Sequence, residues 1–146
     1  MNPYIRWWIR IVWFGIFANM SFAVTALYAP QRIQDGLGLR RLVSTVWLRN
    51  VGMLLVLVSM FNAGAARAPY RYPLYAWLVA IARLIASFFF FRVAFFNPQS
   101  SSERPRTFLT LGIFDLTMGL ICGLLLYLGF PDEYRLSLKN FKRGTL

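Results

Sequence analysis

The segment TFLTLGIFDLTMGLICGLLLYLGF, residues 107–130, decides the fold of this chain. As a helix it would rise about 36 Å, enough to cross a hydrocarbon core of about 30 Å. About a third of the way along it stands a carboxylate, Asp115. A carboxylate in that setting costs about 2.5–3.5 kcal/mol on membrane-insertion scales. The rest of the fold must therefore supply an interaction that offsets this cost.

The composition supports a membrane assignment for the whole chain. Hydrophobic residues make up 58% of the 146 residues, charged residues make up 14%, and the mean hydropathy is +0.53. Soluble domains are typically about 45–50% apolar and about 25% charged. A chain of this length is sufficient for one domain. We therefore predict a single integral membrane domain over residues 1–146.

Four apolar runs of membrane-spanning length follow one another along the sequence, at about residues 9–29, 46–65, 74–96 and 107–130. They predict an all-α fold, an up-down bundle of four transmembrane helices with short loops. A basic tail over residues 131–146 follows the fourth run. Residues 31–45 mix arginine and leucine, and two interpretations remain open for them: a connecting loop or a short amphipathic piece on the membrane surface.

The net charge of +11 points to lipid headgroups. Most lysines and arginines lie between or beside the apolar runs, which favours anionic lipids as partners and argues against nucleic acid. With four spans both termini lie on one side, and that side has eight basic residues against five on the other. The eight are Arg6, Arg10, Arg67, Arg71, Arg135, Lys139, Lys142 and Arg143. The five are Arg32, Arg40, Arg41, Arg104 and Arg106, and Arg49 and Arg92 would raise that count to seven. The positive-inside rule therefore predicts cytoplasmic termini.

The sequence has no histidine and a single cysteine, Cys122. These two facts argue against bis-histidine haem, the usual zinc sites, Ser-His triads and an intramolecular disulfide. None of the catalytic sequence motifs considered is present either. We expect a protein that is not an enzyme, has no metal site, and binds no cofactor through ligands of its own. Cys122 is interpreted as a packing residue.

Asp115 has three candidate partners: Arg83 near the middle of the third run, Arg92 near its end, and Arg49 at the start of the second. Uncertainty in the helix boundaries leaves the choice among the three open. The favoured interpretation is a buried ion pair that fixes helix packing. A proton or substrate site built on Asp115, or a contact with quinone or a lipid headgroup, remains the alternative.

Other polar and small residues in the runs suggest how the helices associate. We expect interhelical hydrogen bonds from three asparagines, each contributing about 0.6–2 kcal/mol: Asn19, Asn50 and Asn62. Gly119 and Gly123 form a GxxxG pattern in the fourth run, which permits close helix approach.

Several short motifs resemble those of the DoxX-like group of small four-helix bacterial membrane proteins. They are YAP at residues 28–30, WLRNVG at 47–52, PYRY at 69–72, AWLVAIARL at 76–84 and GIFDL at 112–116. The resemblance extends over about residues 10–130. It implies a bacterial cytoplasmic membrane and a subunit associated with quinone-linked electron transfer. The resemblance supplies no catalytic residues, and we do not transfer to this chain the thiosulfate reaction associated with that group.

Together these observations predict a non-catalytic accessory subunit, a scaffold or anchor beside other membrane subunits. The host would be a quinone-linked oxidoreductase or another energy-converting assembly. The competing hypothesis is an independent transporter or channel for a small solute or lipid that uses Asp115. A transporter would be expected to bring several polar groups together near the middle of the membrane.

Overall fold

The computed structural model describes residues 1–37, 45–96 and 105–131, and within them the chain is helical. The all-α prediction is confirmed, with four long helices and one short one. They are α1 Pro3–Tyr28, α2 Pro30–Leu37, α3 Val46–Arg67, α4 Pro73–Phe96 and α5 Pro105–Gly129. Residues 38–44 and 97–104 and the tail from residue 132 onward, including most of the predicted basic tail, lie outside the described part.

Proline opens four of the five helices, at Pro3, Pro30, Pro73 and Pro105. Proline suits the first helical position because its missing N–H would have no intrahelical partner there. At α1 the side chain of Asn2 also accepts a hydrogen bond from the backbone N–H of Tyr4 at 3.0 Å. This cap starts α1 at Pro3, before the apolar run that begins near residue 9.

The bundle consists of two helical hairpins, α1 with α3 and α4 with α5, joined mainly through contacts between α1 and α5. At one end of the bundle, Gly129 of α5 lies against Ile5 of α1. At the other end, the rings of Phe90 and Phe108 pair between α4 and α5, with centroids 6.5 Å apart. These contacts show the antiparallel order of an up-down bundle. We call the two ends the terminal end and the α2 end.

The main hydrophobic core lies toward the terminal end. It includes Trp8 on α1, Ala76 on α4 and Leu126 on α5, all fully buried, and Cys122 belongs to it. Tyr70, in the turn before α4, packs on Phe130 with ring centroids 5.6 Å apart. Small residues of α3 and α4 complete this core and let the helices approach closely.

The outer surfaces of the long helices are strongly apolar. Exposed large side chains lie along them, for example Phe17 on α1, Met60 on α3, Phe88 on α4 and Leu120 on α5. Among the residues that the structure describes, four helices are long and apolar enough to cross a membrane. Such extensive apolar surface would be unfavourable in water and is what a bilayer accommodates. The chain is therefore an integral membrane protein.

Helix α2 lies against the last turns of α1. Its buried residue Ile33 packs with Ala26 of α1 and Leu48 of α3, and Phe22 and Leu37 adjoin this cluster. Of the two interpretations left open for residues 31–45, a short amphipathic helix applies to the described part, because apolar Ile33 faces the bundle and charged Arg32 is exposed.

Candidate functional site: the ion pair in the bundle interior

Arg83 of α4 and Asp115 of α5 form an ion pair in the interior of the bundle. The Nη1 atom of Arg83 donates a hydrogen bond to Oδ1 of Asp115 at 2.6 Å. Each residue lies ten positions into its helix, which is roughly 15 Å from the helix start. Because the two helices are antiparallel and α4 is about 36 Å long, the Cα atoms differ in depth by only about 5 Å. An arginine side chain covers this offset.

A third helix contacts the pair. A β-carbon placed on Gly15 of α1 would collide with the Nη2 atom of Arg83. Gly15 is buried, so its missing side chain provides the space in which the guanidinium lies. Gly15 was not predicted from the sequence as a site residue. The signal was weak, because a lone glycine in an apolar run has many explanations.

Burial determines the energetics of this pair. The side chains of Arg83 and Asp115 are 15% and 16% exposed. At that depth neither charge is well hydrated, so the Coulomb attraction is strong and the cost of leaving either charge alone is high. The ion pair therefore provides the interaction that the placement of Asp115 requires, and it connects α1, α4 and α5 at one level.

The other two candidate partners lie elsewhere. Arg49, near the start of α3, and Arg92, near the end of α4, are both exposed. In the described ranges, the ion pair of Asp115 is with Arg83. The rotation of the helices separates the candidates: Arg92 lies nine positions after Arg83, about 180° further around α4 at 100° per residue. It therefore lies on the opposite face of that helix.

The three asparagines do not form the expected interhelical hydrogen bonds within the part of the chain that the structure describes. Asn50 is exposed on α3, and Asn19 and Asn62 are half-buried. Asn19 lies one turn after Gly15, on the face of α1 that meets the ion pair.

Hydroxyl groups in the spans are largely satisfied within their own helices. Ser87, one turn after Arg83, donates to the carbonyl of Leu84 at 2.7 Å. Thr117 donates to the carbonyl of Ile113 at 2.8 Å. Such bonds to the preceding turn are a common way to accommodate serine and threonine in membrane helices. They leave the ion pair as the prominent polar contact between helices among the described residues.

In the described part of the chain, three buried side-chain atoms make no hydrogen bond: Nε1 of Trp8, Nε2 of Gln34 and Oγ of Ser59. Trp8 lies in the core, whereas its neighbour Trp7 is exposed and carries the guanidinium of Arg10 at 4.9 Å from its ring centroid. The aromatic and basic residues at the start of α1 thus divide into a core residue and an interfacial pair.

The GxxxG residues of α5 differ in their surroundings. A β-carbon on Gly119 would lie 2.9 Å from Cδ2 of Leu84 and 3.3 Å from the carbonyl oxygen of Ala80, both on α4. A β-carbon on Gly123 would meet no atom within 4 Å. Only Gly119 therefore has its small size enforced by the contact between α4 and α5.

Within the described residues, no group of three histidine, cysteine, aspartate or glutamate side chains could hold a metal ion. The fold and the ion pair define a class: a small integral membrane protein with four spanning helices and a paired charge in its interior. Comparison with known proteins found no matching family model, no matching curated protein and no matching solved structure.

Proposed function

We propose that this chain is a non-catalytic subunit of a larger membrane complex, in which it acts as a scaffold or anchor. The observation that carries the proposal is the Arg83–Asp115 ion pair against Gly15. In this arrangement each charge is neutralised by the other, and the pair holds three helices in register. A carboxylate used in this way serves packing, whereas a proton or substrate site needs a group that can change its partner.

The outward face of α4 supports the proposal by offering a contact surface. We define this surface, the α4 aromatic face, by four exposed phenylalanines around an exposed arginine: Phe88, Phe89, Arg92, Phe95 and Phe96. Their spacing of three and four residues places them on one side of the helix. Large aromatic side chains are the residues that contribute most to protein interfaces.

Arg92 indicates what kind of partner this surface suits. It lies four residues before the end of α4, roughly 6 Å inside the helix end. Side chains lean toward the start of their helix, so the guanidinium of Arg92 leans deeper into the bilayer. A charge directed into lipid is costly unless an opposite charge meets it. The proposed partner is therefore an apolar membrane helix that carries a carboxylate at the level of Arg92.

The resemblance to the DoxX-like group supports a quinone-linked oxidoreductase as the host complex. In that setting the chain contributes no redox ligands of its own, and its contacts with quinone or lipid would be through its apolar surface. We likewise propose that the chain resides in the bacterial cytoplasmic membrane and that its partners are the other membrane subunits of the complex.

Purification from native membranes in mild detergent tests the proposal. We expect the tagged chain to co-elute with other membrane subunits. Replacing Phe88 and Phe89 by alanine should reduce this co-elution at least tenfold, because interface aromatics contribute about 2 kcal/mol or more. The matched control replaces Phe14 and Phe17 on α1, which are similarly exposed, and should retain the partners. A lone chain that moves a solute in vesicles would overturn the proposal in favour of a transporter.

A further inference from the structure

A groove runs between the last turns of α1 and the short helix α2, with a volume of about 360 Å³. The α1 side contributes Ser21, Phe22 and Thr25, and the α2 side contributes Ile33, Gly36 and Leu37. We call it the α1–α2 groove. It is separate from the Arg83–Asp115 ion pair and from the α4 aromatic face.

The lining of the groove is apolar despite its two hydroxyl residues. The hydroxyl of Ser21 donates to the carbonyl of Phe17 at 2.9 Å, and that of Thr25 donates to the carbonyl of Ser21 at 2.9 Å. Both hydroxyls are therefore satisfied by the backbone of α1, and they leave little polar surface for an occupant to match. The occupant should be a flexible apolar chain without polar groups along its length.

The location favours a lipid as that occupant. The exposed side of α2 carries Gln31, Arg32 and Asp35, so this helix belongs at the boundary between headgroups and hydrocarbon. Its apolar side, Ile33 and Leu37, faces the membrane-spanning α1. A non-helical polypeptide in such a groove would leave backbone N–H and C=O groups to be satisfied, whereas an acyl chain has none.

The charges at the α2 end favour an anionic headgroup. Apart from Arg92, which belongs to the α4 aromatic face, three exposed arginines lie at this end in the described part of the chain, against one acidic residue there, Asp35. They are Arg32, Arg49 and Arg106. Arg32 lies one turn before Gly36 of the lining, hence on the same side of α2.

We infer that the α1–α2 groove binds one acyl chain of an anionic phospholipid, with the phosphate of that lipid facing Arg32. The inference is independent of the proposed subunit function, because it concerns a different surface. Arg32 supplies a charge-assisted hydrogen bond to the phosphate. Because the acyl chain is already surrounded by hydrocarbon in the bilayer, the groove contributes van der Waals packing against its methylenes, which must offset the entropy lost when the chain is ordered.

Gly36 provides a direct test. A β-carbon at Gly36 would meet no atom within 4 Å, so leucine there fills the groove without displacing the protein. The matched control is Gly64→Leu on α3, where a β-carbon also has open space outside the groove. The intact chain is reconstituted in vesicles of phosphatidylglycerol and phosphatidylcholine, extracted in mild detergent, and its retained lipids are counted by native mass spectrometry.

We expect one phosphatidylglycerol per chain to be retained by the unsubstituted protein and by Gly64→Leu, and at least fivefold less by Gly36→Leu. Arg32→Gln should remove the preference for phosphatidylglycerol over phosphatidylcholine. Equal lipid retention in Gly36→Leu and Gly64→Leu would overturn the inference. So would equal retention of the two lipids by the unsubstituted protein.

A second measurement keeps the test decisive if Gly36→Leu fails to fold. A photo-crosslinking amino acid at Leu37, activated in the same vesicles, should give an adduct with the mass of phosphatidylglycerol. The same amino acid at Met60, on the outer face of α3, should give no preference between the two lipids. An adduct at Leu37 with a polypeptide or a quinone would contradict the assignment.

Discussion

The cost of placing the Asp115 carboxylate inside the bundle explains why a largely buried arginine and a glycine lie beside it. Its carboxylate accepts a 2.6 Å hydrogen bond from Arg83, and the guanidinium uses the space left by Gly15. A buried ion pair is seldom more stabilising than a well-packed apolar replacement, but breaking one partner of it is costly. We therefore propose that the pair favours one helix arrangement over alternative packings.

At this scale we predict that Asp115→Asn destabilises the fold by about 3–5 kcal/mol, because it leaves the Arg83 charge buried without a partner. The double variant Arg83→Gln with Asp115→Asn should recover part of that loss. The free energy of unfolding in mixed micelles, measured by titration with dodecyl sulfate, provides the comparison. Arg92→Gln, which alters an exposed arginine on the same helix, should change it by less than about 1 kcal/mol. Strictly additive effects at residues 83 and 115 would show that the two side chains do not act as a pair.

The sequence predicted that Asp115 needs a partner but could not select one. Helix boundaries predicted from sequence carry an error of several residues, so the depths of Arg83 and Arg92 could not be compared reliably with that of Asp115. Hydropathy also does not show that the two arginines lie on opposite faces of α4. The space that Gly15 provides for the guanidinium could not be predicted either, because it depends on which turn of α1 faces Arg83. Rotation of helices about their axes is set by packing, and hydropathy records only their lengths.

At the scale of elements, length and hydropathy were sufficient to predict four membrane-spanning helices. The residues at which the helices begin and end depend in addition on capping side chains and prolines. The Asn2–Pro3 cap extends α1 beyond its apolar run. Hydropathy takes no account of such a cap, and the start of this helix was therefore not predicted from the sequence. Helix α2 is short and polar, and its helical form depends on Ile33 packing against α1 and α3.

Close packing of α4 against α5 gives the prediction at this scale. Gly119→Leu should destabilise the bundle by about 1–3 kcal/mol, because a β-carbon there already approaches Leu84 and the carbonyl of Ala80. Gly123→Leu, in the same GxxxG pattern, should be tolerated, since a β-carbon at that position has open space. Thermal unfolding in detergent, followed by circular dichroism, provides the measurement. Equal losses for both variants would indicate that Gly123 contacts another chain.

At the scale of the whole molecule, an apolar exterior with basic ends determines how the chain lies in a bilayer. Exposed Arg10 lies over the ring of Trp7 at the terminal end, and exposed Arg71 lies over the ring of Tyr72 at 5.5 Å. Pairs of this kind suit the headgroup layer. They mark the level at which α1 enters the membrane and α4 begins. The basic tail, whose charges weigh heavily in the orientation argument, lies outside the described residues.

We predict that both termini face the cytoplasm, because the terminal side has eight basic residues against five on the α2 side, or seven when Arg49 and Arg92 are counted. Reporter domains fused within residues 97–106 and at the C-terminus distinguish the two orientations. Phosphatase activity is expected from the loop fusion and fluorescence from the C-terminal fusion. The reverse pattern would place the termini outside.

The central claim is that the interior charges serve packing within a subunit and take no part in chemistry or transport. The most direct measurement is the composition and activity of the host complex purified from native membranes that carry the Arg83→Gln and Asp115→Asn double variant. The account predicts that the partner subunits and the activity of the complex are both retained within about twofold, because the pair is removed as a unit. A complex that assembles fully but loses its activity would contradict the account and identify Asp115 as a functional acid.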